Sequence, residues 1–405
     1  MCKKIVLLLV FVAFSCSKED VFNGGIVSDL IIPLEKCVNG FAGIYPCNEY
    51  DLMAHIPLEE LYGADTEGND CWGWTDPLTQ NEYALMGTTK GTSFIDITDP
   101  IKPIILGSLN TATENSIWRD IKVFNNFAFI VSEASNHGMQ VFDLTRLRNV
   151  TSPPQIFEAD TQYSAFGKAH NVVINETSGF AYAVGTNTYS GGPHFVDINN
   201  PLTPISAGGY ADDGYSHDAQ VVTYEGPDID YTGKEILIGS NKNEIVIVDV
   251  TDKANPTQIS KISYNNVGYA HQGWFTEDMT YFILGDELDE YSFGGNTRTV
   301  IFDFSDLDNP TFSFDYFGST AAIDHNGYVK NKLLYQANYT AGVRIIDVSN
   351  IQNQTMTEVG FFDTYPENND TAFHGVWSVY PFFESGNIII SDIERGFFII
   401  KKSGS

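Results

Sequence analysis

Six times along the chain an apolar, β-type run ends in an aspartate that leads into Thr, Asn or Ser and a turn. The copies are residues 93–100 (SFIDITDP), 139–145 (MQVFDLT), 194–201 (HFVDINNP), 245–252 (IVIVDVTD), 300–306 (VIFDFSD) and 343–350 (VRIIDVSN), with a degenerate seventh at 396–401 (GFFIIK). Between Asp96 and Asp347 five intervals cover 251 residues, close to fifty per unit. A fixed period of this length marks a repeat architecture, in which one unit cannot bury its apolar face without its neighbours. Each unit holds four short β runs separated by Gly, Asn, Asp and Pro, the pattern of a propeller blade. In the unit that begins at His170 the runs are 171–174, 180–184, 194–198 and 205–210. Seven such units need roughly 350 residues, and residues 50–402 supply 353. The last unit stops after its third run, at Ile399 and Ile400, and residues 50–57 (YDLMAHIP) read as its missing outer strand. The expected fold is all-β: a single seven-bladed β-propeller over residues 37–402, closed by an N-terminal strand that completes the last blade. The repeated aspartate is expected to cap turn N–H groups rather than to bind metal.

The N-terminus reads as an address. Lys3 and Lys4 precede an eleven-residue apolar run, residues 5–15, too short for a membrane-spanning helix and right for a signal peptide. It ends in Ala13-Phe14-Ser15-Cys16, which resembles a bacterial lipobox with Cys16 as the lipidated residue. Residues 1–15 are thus expected to be a lipoprotein signal peptide, and residues 16–36 the lipidated cysteine and its tether. Ser17-Lys18-Glu19-Asp20 resembles the acidic tag of Bacteroidetes lipoproteins exported to the outer face of the outer membrane. Beyond Cys16, Cys37 and Cys47 are close enough to close a small disulfide loop in an oxidising compartment, leaving Cys71 as a free thiol or in another pairing.

Charge narrows the partners. The chain carries 22 Lys plus Arg against 52 Asp plus Glu, a net charge of −30, and loss of Lys3 and Lys4 with the leader takes it to −32. So few basic residues exclude a phosphate-neutralising nucleic-acid surface and electrostatic adhesion to anionic lipid. The expected partners are the membrane, through the lipid, and a protein, glycan or small ligand.

The IVIVDVTD-type units resemble the LVIVD repeat. The remainder is similar to the choice-of-anchor B family of bacterial surface proteins through CVNGFAG (37–43), WGWTDP (72–77), WRDIKV (118–123), IVSEAS (130–135), AHN (169–171), YSHDAQ (215–220), HQGW (271–274), DELDE (286–290), DHN (324–326) and WSVYPFF (377–383). The resemblance runs from residue 37 to the C-terminal end. It implies a propeller-like body held at the cell surface by an anchor, here a lipid on Cys16, and brings no catalytic assignment.

Five histidines recur at the blade period: His170, His217, His271, His325 and His374 are spaced 47, 54, 54 and 49 residues apart, each at the start of an inner strand. Trp72 and Arg119 take the equivalent place in the two earlier units. Inner strands line the channel, so these side chains are expected to converge on one mouth. The second strand of each blade returns to that mouth and brings Glu133, Asp286, Glu287, Asp392 and Glu394, while Asp120, Asp218 and Asp324 sit beside the ring positions. Trp74, Trp118, Trp274 and Trp377 are expected nearby. Either each His hydrogen-bonds a neighbouring turn or carboxylate of its own blade, repeated because the blade is repeated, or the group binds a divalent cation such as Zn, Mn or Fe, which imidazole with carboxylate suits. DELDE (286–290) with Gly294-Gly295-Asn296 offers either a Ca loop or a solvated acidic loop. Two readings follow: a surface module that binds through its funnel, or a metal-dependent enzyme built on His217, His271 and His325 with Asp286 or Glu287. A purely structural envelope scaffold is a third. No Walker loop, nucleophile elbow or HExxH helix is present in the sequence.

Overall fold

The computed structural model describes residues 31–63 and 65–405; the leader, Cys16 and most of the expected tether lie outside them. The chain forms a seven-bladed β-propeller. From the channel outward, blade 1 is Gly68–Thr75, Glu82–Thr88, Gly91–Asp96 and Ile104–Asn110. Blade 2 is Arg119–Phe124, Phe127–Ser132, Met139–Asp143 and Thr161–Tyr163. Blade 3 is Asn171–Asn175, Phe180–Val184, His194–Asp197 and Ile205–Gly209. Blade 4 is Asp218–Thr223, Glu235–Ser240, Ile245–Asp249 and Thr257–Ile262. Blade 5 is Ala270–Phe275, Tyr281–Asp286, Arg298–Asp303 and Thr311–Phe317. Blade 6 is Gly327–Lys330, Leu333–Ala337, Val343–Asp347 and Thr357–Phe362. The seventh sheet holds Val376–Tyr380, Asn387–Asp392 and Gly396–Lys402, with Tyr50–Ile56 antiparallel to Gly396–Lys402 at its edge. Each inner strand packs against the inner strands on either side of it, and that of blade 7 packs against that of blade 1.

Blades stacked on both faces demand apolar side chains on both faces, which is why the middle strands do not alternate. All six residues of Glu235–Ser240 are buried, whereas Thr257–Ile262, the outer strand of the same blade, has none. In blades 1 to 6 the third strand ends on the repeated aspartate. Its Oδ1 accepts the N–H two residues on in all six copies, from Asp96 to Thr98 (2.9 Å) through Asp347 to Ser349 (2.8 Å). A β-bulge sits at the same place between third and fourth strands in blades 1, 3, 4, 5 and 6, adding the twist that lets outer strands splay away from the channel. Gly73 marks the closest approach between blades 7 and 1. A Cβ there would lie 2.2 Å from the Tyr380 ring and 2.5 Å from that of Phe383.

Two additions cover outer edges that would otherwise be open to pairing. Gln155–Phe157 leaves blade 2 and pairs in parallel with Ile104–Asn110 of blade 1. The hairpin Phe41–Ala42 and Tyr45–Asn48 extends blade 6 through Thr357–Phe362. Cys37 and Cys47 are disulfide-bonded beneath it, and Cys71 is a buried free thiol. Ile32 and Glu35 form bridges to His55 and Leu52, so the tether expected through residue 36 is already docked on the body there. Among the described residues no helix is long and apolar enough to cross a membrane.

Blades 1 and 2 are also joined at their lower ends. Asp76, fully buried, accepts two bonds from the Arg148 guanidinium (2.5 and 2.7 Å) and one each from Leu78 N–H and the Thr79 hydroxyl. The Arg148 bonds outweigh burial and hold the Asp76 carboxyl well below the usual carboxylate range. A carboxyl held down in the folded state contributes stability above its unfolded pKa, about 3.9, and loses it as pH falls further. Asp76→Asn should therefore lower Tm at pH 7, and the gap to wild type should narrow below about pH 4, as read by thermal denaturation across pH.

Candidate functional site

The channel has two chemically different mouths. At the N-terminal ends of the inner strands four imidazoles form an arc, with ring centroids 4.0 Å apart for His170 and His217, 4.4 Å for His217 and His271, and 4.3 Å for His271 and His325. They border a cavity of about 20 Å3 with Trp118, Arg119, Asp120, Asn171, Asp218, Asn326 and Trp377. That is room for one water or one ion.

Each imidazole has its own environment. His170 donates from Nδ1 to Glu133 (2.7 Å), which also meets Lys168 at 3.3 Å. His325 donates from Nδ1 to the Trp377 carbonyl at 2.6 Å. A carbonyl only accepts, so the proton is on Nδ1 and Nε2 presents a lone pair. That Nε2 faces Glu287 at 3.8 Å, and His271 Nε2 faces the other Glu287 oxygen at 3.7 Å. The Tyr339 hydroxyl donates to Glu287 at 2.7 Å and fixes the carboxylate. Donor atoms of His271, Glu287 and His325 all lie within 4.8 Å of one another. Burial pushes His217 and His271 well below the usual imidazole range and His325 down to about 3, keeping all three neutral at pH 7. Burial raises Glu287, with the Tyr339 bond opposing.

Other expected members of the ring are elsewhere. His374 lies outside it: its side chain is 54% exposed and bonds Glu394 at 2.6 Å. Asn326 meets Ser378 as Asn171 meets Asp218, which puts Trp377, not His374, at the ring position of blade 7. Trp72 is not at the ring either; it faces the opposite mouth of the channel. Aligning Asp70 with Asp120 puts Asn69 at the ring position, where it donates to the Ile117 carbonyl. Arg119 is at the rim but engaged, donating to the Thr88 carbonyl (3.1 Å) and meeting His137 at 3.1 Å. Asp286 is turned from the imidazoles and accepts from Tyr264 Oη and the N–H groups of Gly268, Tyr269 and Leu288. Asp392 accepts from Thr364 and from the N–H groups of Glu394 and Arg395. Asp324 is buried and accepts from Gln336 at 2.9 Å. The acidic run 286–290 is not a solvated loop. Asp286, Asp289 and Glu290 are 0–3% exposed, with Asp289 against the Arg298 guanidinium and Glu290 accepting the Arg298 N–H.

The opposite mouth holds a chamber of about 390 Å3 at the C-terminal ends of the same strands. Trp72, Trp274, Tyr380 and Phe382 form its walls, with Lys122, Gln220 and Glu176 as the polar groups. Tyr328 packs edge-on against both Trp72 (5.7 Å) and Trp274 (5.0 Å). Trp274, expected at the histidine rim, therefore belongs here, and Trp74 lies in the core between blades 1 and 2. No single-strand pattern announces the chamber, because its rings come from three blades: Trp72 from blade 1, Trp274 from blade 5, and Tyr380 and Phe382 from the inner strand of blade 7 and the turn after it.

Lys122 separates the two mouths. Its ammonium bonds both Asp120 oxygens (2.8 and 3.0 Å), lies 3.5 Å from Asp70 and sits over the Trp72 ring at 4.5 Å. Burial opposes its charge, and the Asp120 and Asp70 carboxylates outweigh burial and hold the ammonium charged. The same carboxylates stitch neighbouring blades: Asp70 accepts the Ile121 N–H (3.0 Å) and Asp120 the Val172 N–H (2.9 Å).

The LVIVD repeat model matches residues 228–265, which span much of blade 4. No curated protein matches the chain. A solved structure from Lactobacillus plantarum is similar at 13% identity and TM-score 0.51, covering 80% of this chain and 87% of its own. A functionally unknown protein from Desulfotomaculum acetoxidans is similar at 12% identity and TM-score 0.51, covering 75% of this chain and 88% of its own. A putative 6-phosphogluconolactonase from Bacteroides fragilis aligns at 13% identity and TM-score 0.49, over 80% of this chain and 86% of its own. At such identities the first two likenesses show the propeller fold alone.

Removing Lys122 leaves two buried carboxylates without their cation. Lys122→Met should destabilise the protein by about 3–5 kcal/mol, read as a lower urea midpoint with an unchanged m-value.

Proposed function

We propose that this protein is a lipid-anchored cell-surface propeller that binds a small ligand of the sugar-ring class in its central channel. The observation that carries this reading is the aromatic chamber of about 390 Å3, walled by Trp72, Trp274, Tyr380 and Phe382. Its size matches small-molecule sites, and a few polar groups set among aromatic faces suit a ring with one apolar face and hydroxyls at its edge. Gln220 is well placed for such a role: its Oε1 accepts the Phe275 N–H at 2.9 Å, which orients the amide within the chamber wall.

The anchor rests on the sequence: Lys3 and Lys4, the apolar run to residue 15, and Cys16. Membership in the choice-of-anchor B family and a position on the outer face of the outer membrane belong to the same reading. So does the role of Tyr50–Ile56 as the clasp of the ring, which its pairing with Gly396–Lys402 supports. A metal-dependent enzyme is the second reading, favoured by the His271, Glu287 and His325 group. The neighbouring cavity of about 20 Å3 has room for an ion or a water beside this group.

Two measurements test this. Titration with a panel of mono- and disaccharides should change tryptophan fluorescence saturably for at least one of them, and Trp274→Ala should weaken that binding at least tenfold. A flat response across the panel overturns the ligand class. In the native host, Cys16→Ser should move the protein from the membrane to the soluble fraction and abolish labelling by a radioactive fatty acid; unchanged labelling overturns the anchor.

A further inference from the structure

We propose that His271, His325 and Glu287 form a binding site for one divalent transition cation of the zinc class at the histidine mouth of the channel. This inference is independent of the sugar reading, since the two sites lie at opposite ends of the inner strands.

The argument begins from a pair of like partners. His325 Nε2 is a lone-pair acceptor, because Nδ1 is committed to the Trp377 carbonyl at 2.6 Å. It faces a carboxylate oxygen, also an acceptor, at 3.8 Å. Two acceptors do not attract one another, and a proton shared between them would draw the atoms to hydrogen-bond distance, near 2.7–3.2 Å. The separations of 3.8 Å and, for His271, 3.7 Å are too wide for that. They are close to the spacing set by a metal: two bonds of 2.0–2.1 Å at a tetrahedral angle put ligand atoms about 3.4 Å apart. Each imidazole–carboxylate separation is within a few tenths of an ångström of that spacing, and all three ligand atoms lie within 4.8 Å of one another.

Two further observations point to the same occupant, although the far nitrogen of His271, Nδ1, has no hydrogen-bond partner among the described residues. The outer partners follow the pattern that orients metal ligands, with the far nitrogen of His325 on a backbone carbonyl and Glu287 held by the Tyr339 hydroxyl at 2.7 Å. The adjoining cavity of about 20 Å3 accommodates a single water as the remaining ligand. Two neutral imidazoles and one carboxylate favour zinc-class ions over calcium, which takes six to eight oxygens. Because His271 and Glu287 come from blade 5 and His325 from the start of blade 6, the ion would pin two blades together.

The test uses the full chain, stripped with a chelator and dialysed, then titrated with Zn2+ against a chromophoric chelator, with elemental analysis after gel filtration. One equivalent should bind. His325→Ala and Glu287→Gln should each weaken binding by more than about 100-fold, and Tyr339→Phe, which removes one hydroxyl and keeps the ring, by about tenfold. His374→Ala, on the exposed pair with Glu394, should bind as wild type does. Circular dichroism establishes that each variant is folded; if His325→Ala is not, Glu287→Gln and Tyr339→Phe carry the test. Uptake below a tenth of an equivalent by the wild type overturns the proposal. So does a loss in His374→Ala equal to that in Glu287→Gln. A sugar titration that fails while zinc binds leaves this site standing, and the reverse result overturns only the zinc.

Discussion

The channel depends on how adjacent inner strands are held to one another without a shared sheet. Blades have separate hydrogen-bond ladders, so the innermost layer is joined by side chains. Asp70 reaches Ile121 and Asp120 reaches Val172, Asn171 bonds Asp218, Gln220 reaches Phe275, Gln272 reaches Gly327, and Asn326 meets Ser378. A backbone N–H at the channel wall has no strand beside it to accept its proton, and leaving it unpaired costs about 1–3 kcal/mol. Asp70, Asp120, Gln220 and Gln272 each meet that need, while Asn171 and Asn326 join one side chain to another.

This joinery fills the interior of a highly acidic protein with carboxylates. Where two of them meet, at Asp70 and Asp120, the sequence places Lys122, and the cation also lies over Trp72. The channel thus has a charged waist, an imidazole-lined mouth above it and an aromatic mouth below. Polar joinery and functional surface are the same residues seen from two sides, so substitutions at the waist should not be read as ligand contacts without a stability measurement beside them.

The repeat was legible because period, turn aspartate and strand alternation all follow from local chemistry; the runs 171–174, 180–184, 194–198 and 205–210 match the strands of blade 3 to within a residue or two. The imidazole arc from His170 to His325 was legible for the same reason. Two positions were not, because the ring position of their blades holds no histidine: Asn69 takes it in blade 1 and Trp377 in blade 7, each three residues from the Trp72 and His374 that the spacing suggests. Nor could spacing separate Glu287 from Asp286, since adjacent residues on a strand end face opposite ways: one toward the imidazoles, the other into its own turn. The aromatic chamber depends on which residues from several blades face each other across the channel, and no single segment records that.

The way the first described residues are woven into the body has a mechanical consequence. Residues 32–35 lie on Tyr50–Ile56, which is bonded to Gly396–Lys402, while the intervening hairpin is laid on blade 6. A pull on the N-terminus is therefore met first by the two bridges of Ile32 and Glu35. The Cys37–Cys47 link then passes it directly to Cys47, so the enclosed loop cannot pay out as slack. Load is shared between blades 6 and 7 rather than peeling a single edge. Under drag or tugging the ring should yield by detaching this short leading segment, and the channel should keep its shape until the outer ladder of blade 7 gives way.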